Sequence, residues 1–193
     1  MKTKLTTKDL IGAGAFGAIY AVLLFAASMI LSMMPIALLL TPLIMGIIGG
    51  TVYMVYVSKV PKTGAVMILA VLVGLITSNA TMYPFFLALV WGLIAEIILK
   101  IGKNQMRKSM LFSYCIFNFT SIGPLFTIIL AKDAFLETCV VYYGQAYADT
   151  LDKYTPSWVV LVFIAFAIIG ALIGGKTGQR LLKKHFEKVG ITA

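Results

Sequence analysis

Residues 10–57 read LIGAGAFGAIYAVLLFAASMILSMMPIALLLTPLIMGIIGGTVYMVYV, and no charged side chain interrupts them. About 20 apolar residues cross a bilayer core, so this run is too long for one helix and must hold two. The break falls between Ser32 and Pro42, where Pro35 and Pro42 flank apolar residues. Proline disrupts a helix interior but is tolerated in its first turn. Helix 1 is therefore placed at about 9–32 and helix 2 at about 43–58, with an alternative start for helix 2 near Pro35.

Beyond this run, Lys59, Pro61 and Lys62 make a short basic turn. Further apolar stretches place helices at about 64–78, 84–101, 109–131 and 157–182, with a mixed polar segment from Lys132 to Pro156. The expected fold is an all-α membrane protein, a single domain over residues 1–193. It is a six-transmembrane-helix bundle with an outer lid segment between helices 5 and 6. Fourteen of the sixteen Lys and Arg fall at the termini and in the second and fourth loops; only Lys132 and Lys153 fall in outer loops. The positive-inside rule then puts both termini in the cytoplasm. No signal peptide is evident, and helix 1 is expected to act as its own insertion signal.

Hydrophobic residues make up 61% of the chain and charged residues 12%, about half the usual share in soluble proteins, which leaves no room for a soluble catalytic domain. The net charge of +9 is explained by loop topology, so nucleic acid is not an expected partner. Cys115 and Cys139 form no metal-site or disulfide pattern, and the single histidine, His185, excludes two-histidine zinc motifs. There is no phosphate-binding Gly-rich loop ending in Lys-Ser/Thr, so the chain has no such means of hydrolysing ATP and is not expected to be an enzyme. Glu96 is the one carboxylate within a span, and it stands four residues before Lys100. That order favours an ion pair along the helix near the interface; the other reading is a contact with a partner subunit.

Candidate ligand-binding residues lie in the outer half: Asn79, Tyr83, Trp91, Tyr114, Asn118, Ser121 and Tyr143. Aromatics with a few aimed polar groups line many small-molecule pockets. The same residues also suit bonds between helices and an interfacial aromatic belt, and Tyr83 and Trp158 fit the belt better. The run Tyr142-Tyr143-Gly144-Gln145-Ala146-Tyr147-Ala148-Asp149 can form an amphipathic helix or a lid whose tyrosines cover a planar ligand.

Two ladders of small residues mark sites of close helix approach. Helix 1 carries Ala13, Gly14, Gly17, Ala18 and Ala21; helix 6 carries Gly170, Gly174 and Gly178, with Ala167, Ala171 and Gly175 alongside. Internal packing is the default for at least one ladder, and a docking surface for another membrane subunit is the alternative.

Three further stretches, together with the ending Leu181-Leu182-Lys183-Lys184-His185-Phe186, carry a resemblance over essentially the whole chain. They are Gly14-Ala15-Phe16-Gly17-Ala18-Ile19-Tyr20, Val57-Ser58-Lys59-Val60-Pro61-Lys62-Thr63-Gly64 and Gly92-Leu93-Ile94-Ala95-Glu96-Ile97-Ile98-Leu99-Lys100. The chain resembles the Trep_Strep (MptD-like) group of substrate-binding S components of energy-coupling factor (ECF) transporters. The resemblance implies a bacterial plasma-membrane protein that captures a vitamin-like micronutrient outside. It implies docking on a transmembrane coupling subunit, with two partner ATPases using the ATP and no cofactor in this chain. It also implies that the small-residue patch of helix 1, in the register of Gly14 and Ala18 or of Ala13, Gly17 and Ala21, meets the coupling subunit. Similar members are assigned to hydroxymethylpyrimidine or pyridoxine, small neutral aromatic compounds. The rival readings are a stand-alone secondary transporter, which would need coupling residues and commonly inverted repeats, and a non-transporting assembly protein built around its glycine ladders.

Overall fold

The computed structural model describes residues 6–78, 81–102 and 106–188, and within them the chain is all-α. Helix α1 spans Thr7–Ser32 and is opened by a capping box: the Thr6 hydroxyl accepts the Asp9 N–H, and the Asp9 carboxylate accepts the Thr6 N–H. The uncharged run then divides into three helices rather than two. Pro35 starts a short helix α2, Pro35–Leu39, and Pro42 sits in the first turn of α3, Thr41–Lys59. Each proline thus stands where its missing N–H leaves no interior hydrogen bond unmade.

Helices α4, Ala65–Thr77, and α5, Tyr83–Ile101, follow. Next come α6, Met106–Phe117, a 3₁₀ turn over Asn118–Ile122, and α7, Gly123–Leu130. Pro124 explains the 3₁₀ turn, because it cannot donate back to the Thr120 carbonyl; the Gly123 N–H takes that carbonyl instead. The polar segment forms α8, Lys132–Tyr143, and α9, Gln145–Tyr154, before α10 at Val159–Lys188.

Among the described residues, five helical stretches are long and apolar enough to cross a membrane: Thr7–Ser32, Thr41–Lys59, Tyr83–Ile101, Arg107–Leu130 and Val159–Lys184. Helix α4 is equally apolar but has 13 residues, roughly 20 Å of helix against a core of about 30 Å.

Side-chain contacts bring four parts of the chain to one end of the bundle. Lys62 pairs with Asp9 at 2.6 Å, Glu96 holds the turn before α4, and the Gln179 amide donates to the Arg107 carbonyl at 2.6 Å. The start of α1, the α3–α4 turn, the end of α5 with the start of α6, and the end of α10 therefore share this basic end. At the opposite end, α2, α8 and α9 meet the end of α1, where the Tyr147 hydroxyl donates to the Ser32 carbonyl at 2.9 Å.

Glu96 corrects one expectation. Its carboxylate does not serve an ion pair along its own helix with Lys100. One oxygen accepts the Gly64 N–H at 2.7 Å, and the other accepts the Val66 and Met67 N–H groups at 2.9 and 3.3 Å. A helix leaves its first N–H groups without intrahelical partners, and a carboxylate there also meets the positive end of the helix dipole. The buried acid of α5 is thus the missing cap of α4, and Gly64, at φ 94°, lets the chain turn into it.

Glycines set the two closest helix contacts. Helices α3 and α10 run parallel with Gly170 against Leu43, Gly174 against Gly46 and Ile47, and Gly178 against Gly50 and Thr51. Helices α4 and α5 run antiparallel, with Gly92 against Ala70 and Gly74 against Ala88. The core grows around these seams from Tyr20, Tyr53, Tyr56, Tyr114 and Phe117, all nearly fully buried.

Candidate functional site

A half-open cavity of about 500 Å³ lies at the lid end, between α1, α4, the 3₁₀ turn and α8. Its size falls within the usual range of small-molecule sites. Leu24, Ser28 and Ser32 of α1 form one wall, and Thr41, Thr77 and Ser121 contribute from the bundle. The lid supplies Thr138, Cys139, Tyr143 and Tyr147. None of the described lining residues carries a charge.

Five of the six serine and threonine hydroxyls among the described lining residues have a shared polarity. Ser32 donates to Met29, Thr41 to Leu38, Thr77 to Val73, Ser121 to Asn118 and Thr138 to Ala134, each to a backbone carbonyl of its own or the preceding turn. A hydroxyl has one proton and two lone pairs. With the proton committed, these groups meet a ligand as acceptors, and they suit a solute that brings O–H or N–H donors.

The lid is a folded pair of helices. Gly144 turns the chain at φ 89°, in the left-handed region where a side chain would be strained. Tyr143 and Tyr147, on either side of that turn, stack at 4.6 Å with planes 22° apart. Lys132 closes the pair, 2.6 Å from the Asp152 carboxylate and within 3.3 Å of the Asp152 and Thr155 carbonyls. Burial, with smaller contributions from Cys139 and Tyr143, pushes the Tyr147 phenol up to about 12, so at neutral pH it remains a donor to Ser32. Burial likewise raises the Cys139 thiol.

Of the residues expected to bind ligand, Ser121 and Tyr143 line this cavity. Tyr114 and Asn118 are buried among the helices instead: the Tyr114 hydroxyl donates to Gly46 at 2.7 Å, and the Asn118 amide bridges the Pro42 and Ala167 carbonyls at 3.0 and 2.9 Å. Trp91 packs edge-on against Phe119, and Tyr83 is exposed at the mouth of α5. Asn79 lies outside the described residues. The hydroxyls of Ser28, Ser32, Thr41, Thr77 and Thr138 had no signal as pocket residues, because a lone hydroxyl in an apolar run more often bonds its own helix. Tyr147 was marked by the tyrosine-rich run around Gly144.

The helix 1 ladder divides between two faces. Ala13 and Gly17 face inward, with Gly17 against Leu72 of α4, and Ala21 is half-buried. Gly14 and Ala18 face outward, and a Cβ on Gly14 would meet nothing within 4 Å. The ladder of α10 is covered by α3 and presents no outer surface.

A family model described as a hypothetical bacterial integral membrane protein (Trep_Strep) matches residues 7–188. No curated protein and no solved structure matches the chain.

Proposed function

The chain belongs to the Trep_Strep family of bacterial integral membrane proteins, and from that premise we propose that it is the substrate-binding subunit of an ECF-type ATP-driven micronutrient importer. In this reading it crosses the plasma membrane six times, with α4 as the short pass and the basic end in the cytoplasm. It captures a small neutral aromatic compound, of the hydroxymethylpyrimidine or pyridoxine kind, from outside. It then docks on a coupling subunit that works with two ATPases, and performs no chemistry itself.

The observation that carries the reading is the uncharged cavity under the lid. An ionic vitamin would lose its hydration there without gaining a counter-charge. A hydroxylated or aminated ring can donate to the committed hydroxyls and lie near the Tyr143–Tyr147 pair. For docking, the outward register of Gly14 and Ala18 supports the contact, since small residues let another helix approach closely.

Thermal unfolding of the purified chain with hydroxymethylpyrimidine, pyridoxine and an anionic vitamin such as folate tests the ligand. A shift with either neutral ring is expected; a shift with folate alone overturns the assignment. For docking, Gly14→Leu and Ala18→Leu should abolish co-purification with the coupling subunit and leave ligand binding intact. A complex that survives both substitutions removes this surface from the mechanism.

A further inference from the structure

A second cavity, about 600 Å³ and more open than the first, lies between α5 and α6 at the basic end. Ile98 and Ile101 form one bank; Phe112, Cys115 and Ile116 form the other. Ser109 closes its end by donating to the Gly102 carbonyl at 2.8 Å. Lys108 stands at the rim, exposed, and Lys100 and Arg107 are exposed on the adjoining turns. From Lys108 to Ile116 the groove runs roughly 12 Å along the helix.

We propose that this groove is a binding site for an anionic phospholipid, with an acyl chain between Ile98, Phe112 and Ile116 and the phosphate at Lys108. Two features select this occupant. The cavity pairs an apolar channel with a basic rim at the end of the bundle, the combination found where headgroups bind between transmembrane helices. Ile98, Ile101, Phe112 and Ile116 put large side chains along its banks, whereas a partner helix packs best against small ones. Phe112 is 62% exposed and Ile101 79% exposed, so both banks are open to the hydrocarbon. The proposal does not depend on the transport reading.

The test uses the full chain carrying Trp91→Phe, Trp158→Phe and Phe112→Trp, so that one indole reports from the groove. The protein is reconstituted in phosphatidylcholine vesicles containing brominated phosphatidylglycerol or brominated phosphatidylcholine, and quenching gives the relative affinity. The expected result is a preference of roughly five-fold for phosphatidylglycerol, the worth of about one basic side chain at a headgroup. Lys108→Gln should abolish the preference and Lys108→Arg should keep it. Lys184→Gln, which removes an exposed charge of α10 that does not line the groove, should leave it unchanged. Equal quenching by both lipids, a preference that survives Lys108→Gln, or one lost as fully in Lys184→Gln overturns the proposal. Quenching by neither lipid also overturns it, since that is the result for a groove filled by protein.

Discussion

Glu96 and Lys100 stand at the spacing of a helical ion pair, yet the carboxylate turns away to three backbone N–H groups of another helix. A buried N–H left without an acceptor costs about 1–3 kcal/mol. Glu96→Ala should therefore lower stability by about 3 kcal/mol or more, while Lys100→Ala should change it by less than about 0.5 kcal/mol. Thermal or denaturant unfolding in detergent separates the two, and an equal loss in both variants would restore the ion pair. At the lid, Tyr147→Phe removes one donor from the Ser32 carbonyl and keeps the ring stack with Tyr143. The same measurement should show a loss of about 1 kcal/mol, the usual net value of one hydrogen bond.

Among the elements, α1 is the most informative, because its small residues serve two faces. Gly17→Leu drives a side chain into Leu72, whereas Gly14→Leu meets open space. The first should lower the unfolding temperature clearly and the second should leave it unchanged, since overpacking a closed contact costs about 1–3 kcal/mol. A loss at Gly14→Leu with none at Gly17→Leu would mean that the two registers have been exchanged, and equal unfolding temperatures would remove the distinction between the two faces. At the α3–α10 seam, a Cβ on Gly174 would fall on backbone atoms of Gly46 and Ile47, which cannot rotate away. Gly174→Val should accordingly prevent folding or reduce the yield of folded protein in detergent. Periodicity marks both ladders, but only the partners of each glycine distinguish an inner contact from a free surface.

Taken as a whole, the molecule is a helical bundle with a clasped lid over an uncharged cavity. Cys139 provides a direct readout of that lid, because it is 4% exposed and lines the cavity. In a Cys115→Ala background, maleimide should label Cys139 slowly, and Lys132→Ala should speed labelling by up to about five-fold, the range for a partly exposed ion pair near 1 kcal/mol. An unchanged rate would show that the clasp does not hold the lid. The all-α class, the membrane setting and the break near Pro35 and Pro42 were legible from residue order alone. Hydrophobic run length, proline and local charge are properties of neighbouring residues, and they act before any long-range contact forms. The cap supplied by Glu96, the register of the helix 1 ladder and the separation of Ser121 from Asn118 were decided only by tertiary structure. Each depends on which distant helix lies opposite, and a carboxylate, a glycine or an amide has no fixed role until that neighbour supplies a donor, a wall or open space.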